Sequence, residues 1–123
     1  MSYDNTFVGS GNLARDIEVK VSANGNTFGV GAIALSEGKD KPATFLDFII
    51  FGDLAENAAE SFSKGDRVIV RGSLTQDRWE DNEGNKRSRI KLIVDDIGGS
   101  ARWGTLTVHK TERWTGPDDD NLI

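Results

Sequence analysis

The strongest constraint on this chain is a change of apolar period, from two to helical and back to two, within residues 44–74 (TFLDFIIFGDLAENAAESFSKGDRVIVRGSL). Over residues 44–51 the even positions Leu46, Phe48 and Ile50 are uniformly apolar, as on the core face of a strand. The odd positions Phe45, Asp47, Ile49 and Phe51 make a mixed face with two aromatics. Gly52 breaks the pattern, and Asp53 with Glu56 three residues on predicts a capping box. Leu54, Ala58 and Phe62 recur at helical spacing, and Gly65 after Lys64 predicts the helix stop. Period two then returns, with Val68, Val70, Gly72 and Leu74 inward and Arg67, Ile69, Arg71 and Ser73 outward.

The remainder of the chain reads as strands. Residues 6–13 are a short apolar run ending in a glycine-rich kink. Ile17, Val19 and Val21 alternate with Glu18 and Lys20 as a half-buried strand, and Asn24-Gly25 is a hairpin signal. In residues 27–35, Phe28, Val30, Ala32 and Ala34 share one face. Gly29 and Gly31 take the other, which suits a curled sheet. A polar loop with Lys39 and Lys41 follows. Residues 75–91 form a long hairpin: Trp79 on one arm, a turn at 81–85, then Lys86, Arg87, Arg89 and Lys91 on the other. Ile90, Leu92 and Val94 continue inward, and Leu106 and Val108 around Thr107 predict a short added strand. One short helix between strands of such a chain predicts an all-β fold: a five-stranded OB-fold barrel with one short helix, long hairpins and an added C-terminal strand. The expected division is one domain over residues 1–110 and a short acidic tail over 111–123.

With 123 residues, 37% of them apolar, the chain suffices for one modest core. It has no cysteine, which excludes disulfides, thiolate zinc sites and thiol catalysis. No apolar run approaches the ~20 residues of a membrane span, and MSYDNTF lacks a signal-peptide core, so the expectation is a cytoplasmic protein. The net charge of −5 is uneven, since Glu112, Asp118, Asp119 and Asp120 against Arg113 place −3 on residues 112–123. The nearly neutral remainder is free to carry a basic stripe, because binding follows local potential.

Catalytic candidates fail one by one. His109 is the only histidine and lies near the C-terminus between Val108 and Lys110. The glycines of GVGAIA at 29–34 lie inside a strand rather than between strand and helix, so they do not make a dinucleotide fingerprint. DNEG at 81–84 has its glycine at the wrong place for a calcium loop. Asp95 and Asp96 are neighbours on a strand and point to opposite faces, unable to share a proton. No catalytic residue, metal or cofactor is expected.

Phe45, Phe51 and Trp79 fall on the outward parity of their strands, where a stacked base would cover them and add roughly 1–3 kcal/mol each. Arg71, Arg78, Lys86, Arg87 and Arg89, with Lys39 and Lys41, are placed to track phosphates. Spacing alone admits a second reading, in which the aromatics meet another protein and the cations form a solvated face.

The segments GNLARDIE at 11–18, FIIFGDLAENAAESFSKGDRVIVRGSL at 48–74 and RWEDNEGNKR at 78–87 closely resemble bacterial-type single-stranded DNA-binding proteins, and VDDIGGSARWGTLTV at 94–108 is similar to their actinobacterial or actinophage branch. The resemblance spans residues 5–110. It implies an OB fold assembled as a homotetramer, an extra strand near Leu106, stacking on Phe45, Phe51 and Trp79, and a phosphate path that includes Arg15. It further implies protection of single-stranded DNA in replication, recombination and repair, with an acidic tip recruiting partner enzymes; here that tip would be Asp118, Asp119, Asp120, Leu122 and Ile123. Three departures stand out: Ser36-Glu37-Gly38 where the family often has tryptophan, Asp47 and Asp77 where it is often basic, and a short tail ending Leu-Ile instead of Pro-Phe. The alternatives left open are an oligomeric OB interaction module of primosome or recombination type and an RNA-binding domain of cold-shock type.

Overall fold

The computed structural model describes residues 4–111. Its elements are β1 (Phe7–Leu13), β2 (Glu18–Val21), β3 (Thr27–Leu35), β4 (Thr44–Phe51), α1 (Asp53–Ser61), β5 (Arg67–Glu80) and β6 (Lys86–Gly99). The sheet order is β1-β5-β6-β4-β3-β2, and β1 also pairs with β3 through Asn12 and Leu13. Five strands therefore close into a ring, with β2 a spur on β3, and this agrees with the OB outline. Only β4 and β6 run parallel. Closure requires a side-chain-free crossing: a Cβ on Gly11 would run into the Ala34 carbonyl.

The core gathers Leu13, Ile17, Ile33, Phe48, Ile50, Val68, Val70, Leu92 and Val94 beneath Ala55 and Ala58 of α1. The period-two reading of residues 44–51 and 67–72 holds here, and each such side chain contributes roughly 1.5–3 kcal/mol by leaving water. The glycine face of β3 is the inward one. A Cβ on Gly31 would lie 2.5 Å from Phe48 Cζ, so the phenyl ring occupies the space the glycine vacates. No polar or charged residue is fully buried among the described residues.

Several local expectations are corrected. The capping box does not form: Gly52, at φ 75°, is the N-cap and carries no side-chain cap, so Asp53 is already inside the helix. Asp53 and Glu56 still sit in the first turn, where the helix dipole favours acids. The helix ends at Ser61, not Lys64, with Phe62 already extended. Gly65 belongs instead to the next turn, where the Ser63 N–H meets Asp66 and the Lys64 N–H meets Asp16. The buried stripe consequently runs through Ala55 and Ala58, flanked by Leu54, Ala59 and Phe62.

Strand β2 is exposed along its whole length, because it has one neighbour and lies beyond the ring; of the expected half-buried set only Ile17 is buried. The Asn24-Gly25 turn forms as expected, with Gly25 at φ 83° and the Ser22 N–H on the Asn26 carbonyl. Leu74 and Ile90 were expected inward but are exposed. The β1–β5 pairing ends at Gly72 and the β4–β6 pairing at Lys91, so the β5–β6 hairpin leaves the ring there and no core element faces it beyond Leu92. The added strand at Leu106–Val108 does not form. The segments beside it are the end of α1 and the 62–66 turn, whose amides are already spent: the Gly65 N–H on Leu13 and the Asp66 N–H on Ser63. Leu106 instead lays its methyls against Gly99.

Candidate nucleic-acid interface

Strand β4 pairs with β3 along its whole length and with β6 over 47–50, so its central outward side chains are flanked on both sides. With Phe48 and Ile50 buried, alternation sends Phe45, Asp47, Ile49 and Phe51 outward. On one flank the register sets Ala34 beside Phe45, Ala32 beside Asp47 and Phe28 beside Phe51. On the other, Asp47 meets Lys91 and Ile49 meets Ile93. The same parity continues through Lys91–Thr75, Arg89–Asp77 and Arg87–Trp79. One outward face thus runs from β3 to the tip of the hairpin. On it Phe45 is 68% exposed, Phe51 56% and Trp79 44%. Phe45 and Phe51 stand ~20 Å apart along β4, given the rise of a strand.

Cations on this face are held by carboxylates. Arg15, from the bend between β1 and β2, lies 3.9 Å from Asp47, and Arg89 lies 3.6 Å from the same side chain. Arg89 also sits 5.8 Å from the centre of the Trp79 ring. Lys91 bonds Asp77 at 2.9 Å and Arg87 bonds Asp81 at 3.0 Å. Arg71 donates to Asp95 at 2.7 Å. That hydrogen bond, then the Asp95 charge and more weakly the Asp96 charge, pushes the Arg71 pKa up. Exposed pairs of this type contribute little to stability, so opening one of them costs little.

The hairpin tip is ordered by one side chain. Asp81 accepts the Glu83 and Asn85 N–H groups on Oδ1 and the Arg87 Nε–H on Oδ2. These bonds, led by that from Asn85, hold its pKa below the ordinary carboxylate value.

The structure brings Phe45, Phe51, Trp79, Arg15, Arg87 and Arg89 onto one face. Arg78 and Lys86 have the opposite parity and lie on the reverse side of the hairpin, Arg78 donating to Gln76 at 2.6 Å. Lys39 and Lys41 are exposed in the loop that leads into β4 at the Phe45 end. Asp95 and Asp96 are both exposed at the bulge. The tip residues Asp118, Asp119, Asp120, Leu122 and Ile123 lie outside the described residues. Sequence reasoning passed over Phe28, which the β3–β4 register sets beside Phe51, and left Lys91 out of the site although its odd parity placed it there. It also passed over Trp103, 72% exposed with the Arg67 guanidinium 4.5 Å above its ring. The Arg-Trp pair at 102–103 was the signal for it.

No helix among the described residues is long and apolar enough to cross a membrane. Residues 4–99 match the model of the single-strand binding protein family. The chain is 38% identical over 122 residues to the single-stranded DNA-binding protein of Mycolicibacterium smegmatis, covering 92% of this chain and 74% of that one. It is 38% identical over 125 residues to that of Mycobacterium tuberculosis, covering 94% and 76%. It is 38% identical over 110 residues to single-stranded DNA-binding protein 2 of Streptomyces coelicolor, covering 82% and 55%.

Proposed function

The chain belongs to the single-strand binding protein family, and from that premise we propose that it binds and protects single-stranded DNA, without catalysis, in replication, recombination and repair. The observation that carries this reading is the continuous outward face on which Phe45, Phe51 and Trp79 stay exposed among cations. Bases stack on the three rings, which any sequence permits. Arg15, Arg87 and Arg89 take phosphates on the same face, Lys39 and Lys41 receive the strand at the Phe45 end, Arg71 extends the path at the base of β5, and Arg78 and Lys86 extend it to the reverse side of the hairpin. A titration of tryptophan fluorescence with oligo(dT), oligo(U) and duplex DNA tests it. Selective quenching by oligo(dT) is expected, whereas equal response to oligo(U) favours an RNA-binding domain and no response favours a protein-interaction module.

The protein acts as a homotetramer. Support comes from what a single chain leaves open: along residues 7–11, β1 has a strand on one side only, and Val8 and Ile69 are exposed beside it. Light scattering that reports a monomer at micromolar concentration excludes this assembly. The acidic tail recruits partner enzymes through Asp118, Asp119, Asp120, Leu122 and Ile123. Deleting residues 115–123 should abolish pull-down of those partners and raise DNA affinity slightly at low salt, as three competing carboxylates leave; identical partner sets for the full and truncated chains would reduce the tail to a solvated end.

A further inference from the structure

The carboxylates of the outward face are not equivalent. Asp77 is closed by Lys91 at 2.9 Å and Asp95 by Arg71 at 2.7 Å, while Asp81 is filled by two backbone amides and Arg87. Asp47 differs. Its nearest cations, Arg15 and Arg89, stand at 3.9 and 3.6 Å, beyond a hydrogen bond, and 40% of its side chain is exposed. Both of its oxygens keep lone pairs for another donor.

Its surroundings favour a base. Phe45 lies two residues away on the same face of β4, ~7 Å along the strand, and is the most exposed of the three rings. Beside Asp47 on β3 is the small Ala32, itself covered, and the approach to the carboxylate is through the 40% of its side chain that stays exposed. The two flanking arginines outweigh one carboxylate, so the strand is not repelled. A base stacked on Phe45 turns its Watson–Crick edge toward an unfilled acceptor. Guanine offers that acceptor two parallel donors, N1–H and the N2 amine, and makes a bidentate, charge-assisted pair. Cytosine and adenine offer one amine. Thymine sets its single N3–H between two carbonyl oxygens, which a carboxylate repels.

We propose that Asp47 is a base-reading residue that favours guanine over thymine at the nucleotide stacked on Phe45, with cytosine and adenine between them. This rests on the reading of the face as a single-strand path and adds a local bias to binding that stacking alone leaves indifferent to sequence. The test is a fluorescence titration at fixed salt with oligo(dT) and with the same oligomer carrying dG, or deoxyinosine, which lacks the N2 amine, at regular intervals. Wild type should bind the dG oligomer about tenfold more tightly than oligo(dT), with the inosine oligomer in between. The isosteric Asp47→Asn should bind oligo(dT) more tightly than wild type and lose the dG advantage. Equal wild-type affinity for the three oligomers overturns the inference, as does a dG advantage that Asp47→Asn keeps. Failure of wild type to bind oligo(dT) at all overturns the single-strand reading itself, and this inference with it.

Discussion

Strands β5 and β6 each contain 14 residues and form one ladder, yet its two halves are different kinds of structure. At the ring end, Val68, Val70, Leu92 and Val94 are buried and locked against β1 and β4. On the far side no residue from Leu74 to Ile90 is buried, and the hairpin stands on cross-strand pairs and the Asp81 turn. Continuous backbone pairing therefore joins a part that specifies the fold to a part free to specialise in contact. Stability and binding should respond to different substitutions.

The sharpest break of that comparison is in the ring. Ile50→Ala, at a fully buried position, should cost ~2–5 kcal/mol in denaturant unfolding, and a negligible loss would mean the core is not organised as described. Next comes the outward face. Trp79→Ala and Phe51→Ala should each weaken binding of oligo(dT) by roughly 1–3 kcal/mol while the unfolding midpoint stays in place. Unchanged affinity together with altered oligomer size would assign the rings to a protein interface.

Smaller effects concern charge. Asp77→Arg releases Lys91 and adds a cation, and Asp47→Lys does the same for Arg15 and Arg89. Both should tighten binding and steepen log K against log[salt] by up to ~0.7 per added phosphate contact. Slopes that do not move would show that the strand passes elsewhere. The smallest effect is at the tip. The Asp81 pKa is depressed in the folded state, so the order it confers is complete above the ordinary carboxylate value and is lost as pH falls through the lowered one. Amide exchange at Glu83 and Asn85 should accelerate only in that acidic window. Asp81→Asn should remove the window; protection that persists in it would show that the turn holds without this carboxylate.

The same division explains what the sequence disclosed. Period two was legible where both faces have a defined environment, so Leu46, Phe48, Ile50, Val68 and Val70 were read correctly. It failed at Leu74, Ile90, Val19 and Val21, which keep the alternation after the core that would reward it has ended. Where the flanking strands end, at Gly72 on β5 and Lys91 on β6, is a matter of pairing between distant segments and leaves no periodic trace. The capping box failed for a local reason: Gly52 took the cap, one residue earlier than the side-chain pattern suggested. Site parity for Phe45, Phe51, Trp79, Arg87 and Arg89 was readable because it needs only alternation. That Asp47 is left half-satisfied while Asp77 is closed was not readable, since it depends on which strands lie side by side.

The point where β6 leaves β4, at Lys91 opposite Thr75, also acts as a pivot. From Thr75 to Trp79 the hairpin extends ~13 Å as a strand, so a rotation of about 10° at its base carries the indole roughly 2 Å. Phe45 and Phe51, held against β3 at the two ends of β4, have no such lever. On the proposed path two platforms are anvils and the third is an arm, and a strand laid over the fixed pair would be met by a ring able to travel to it.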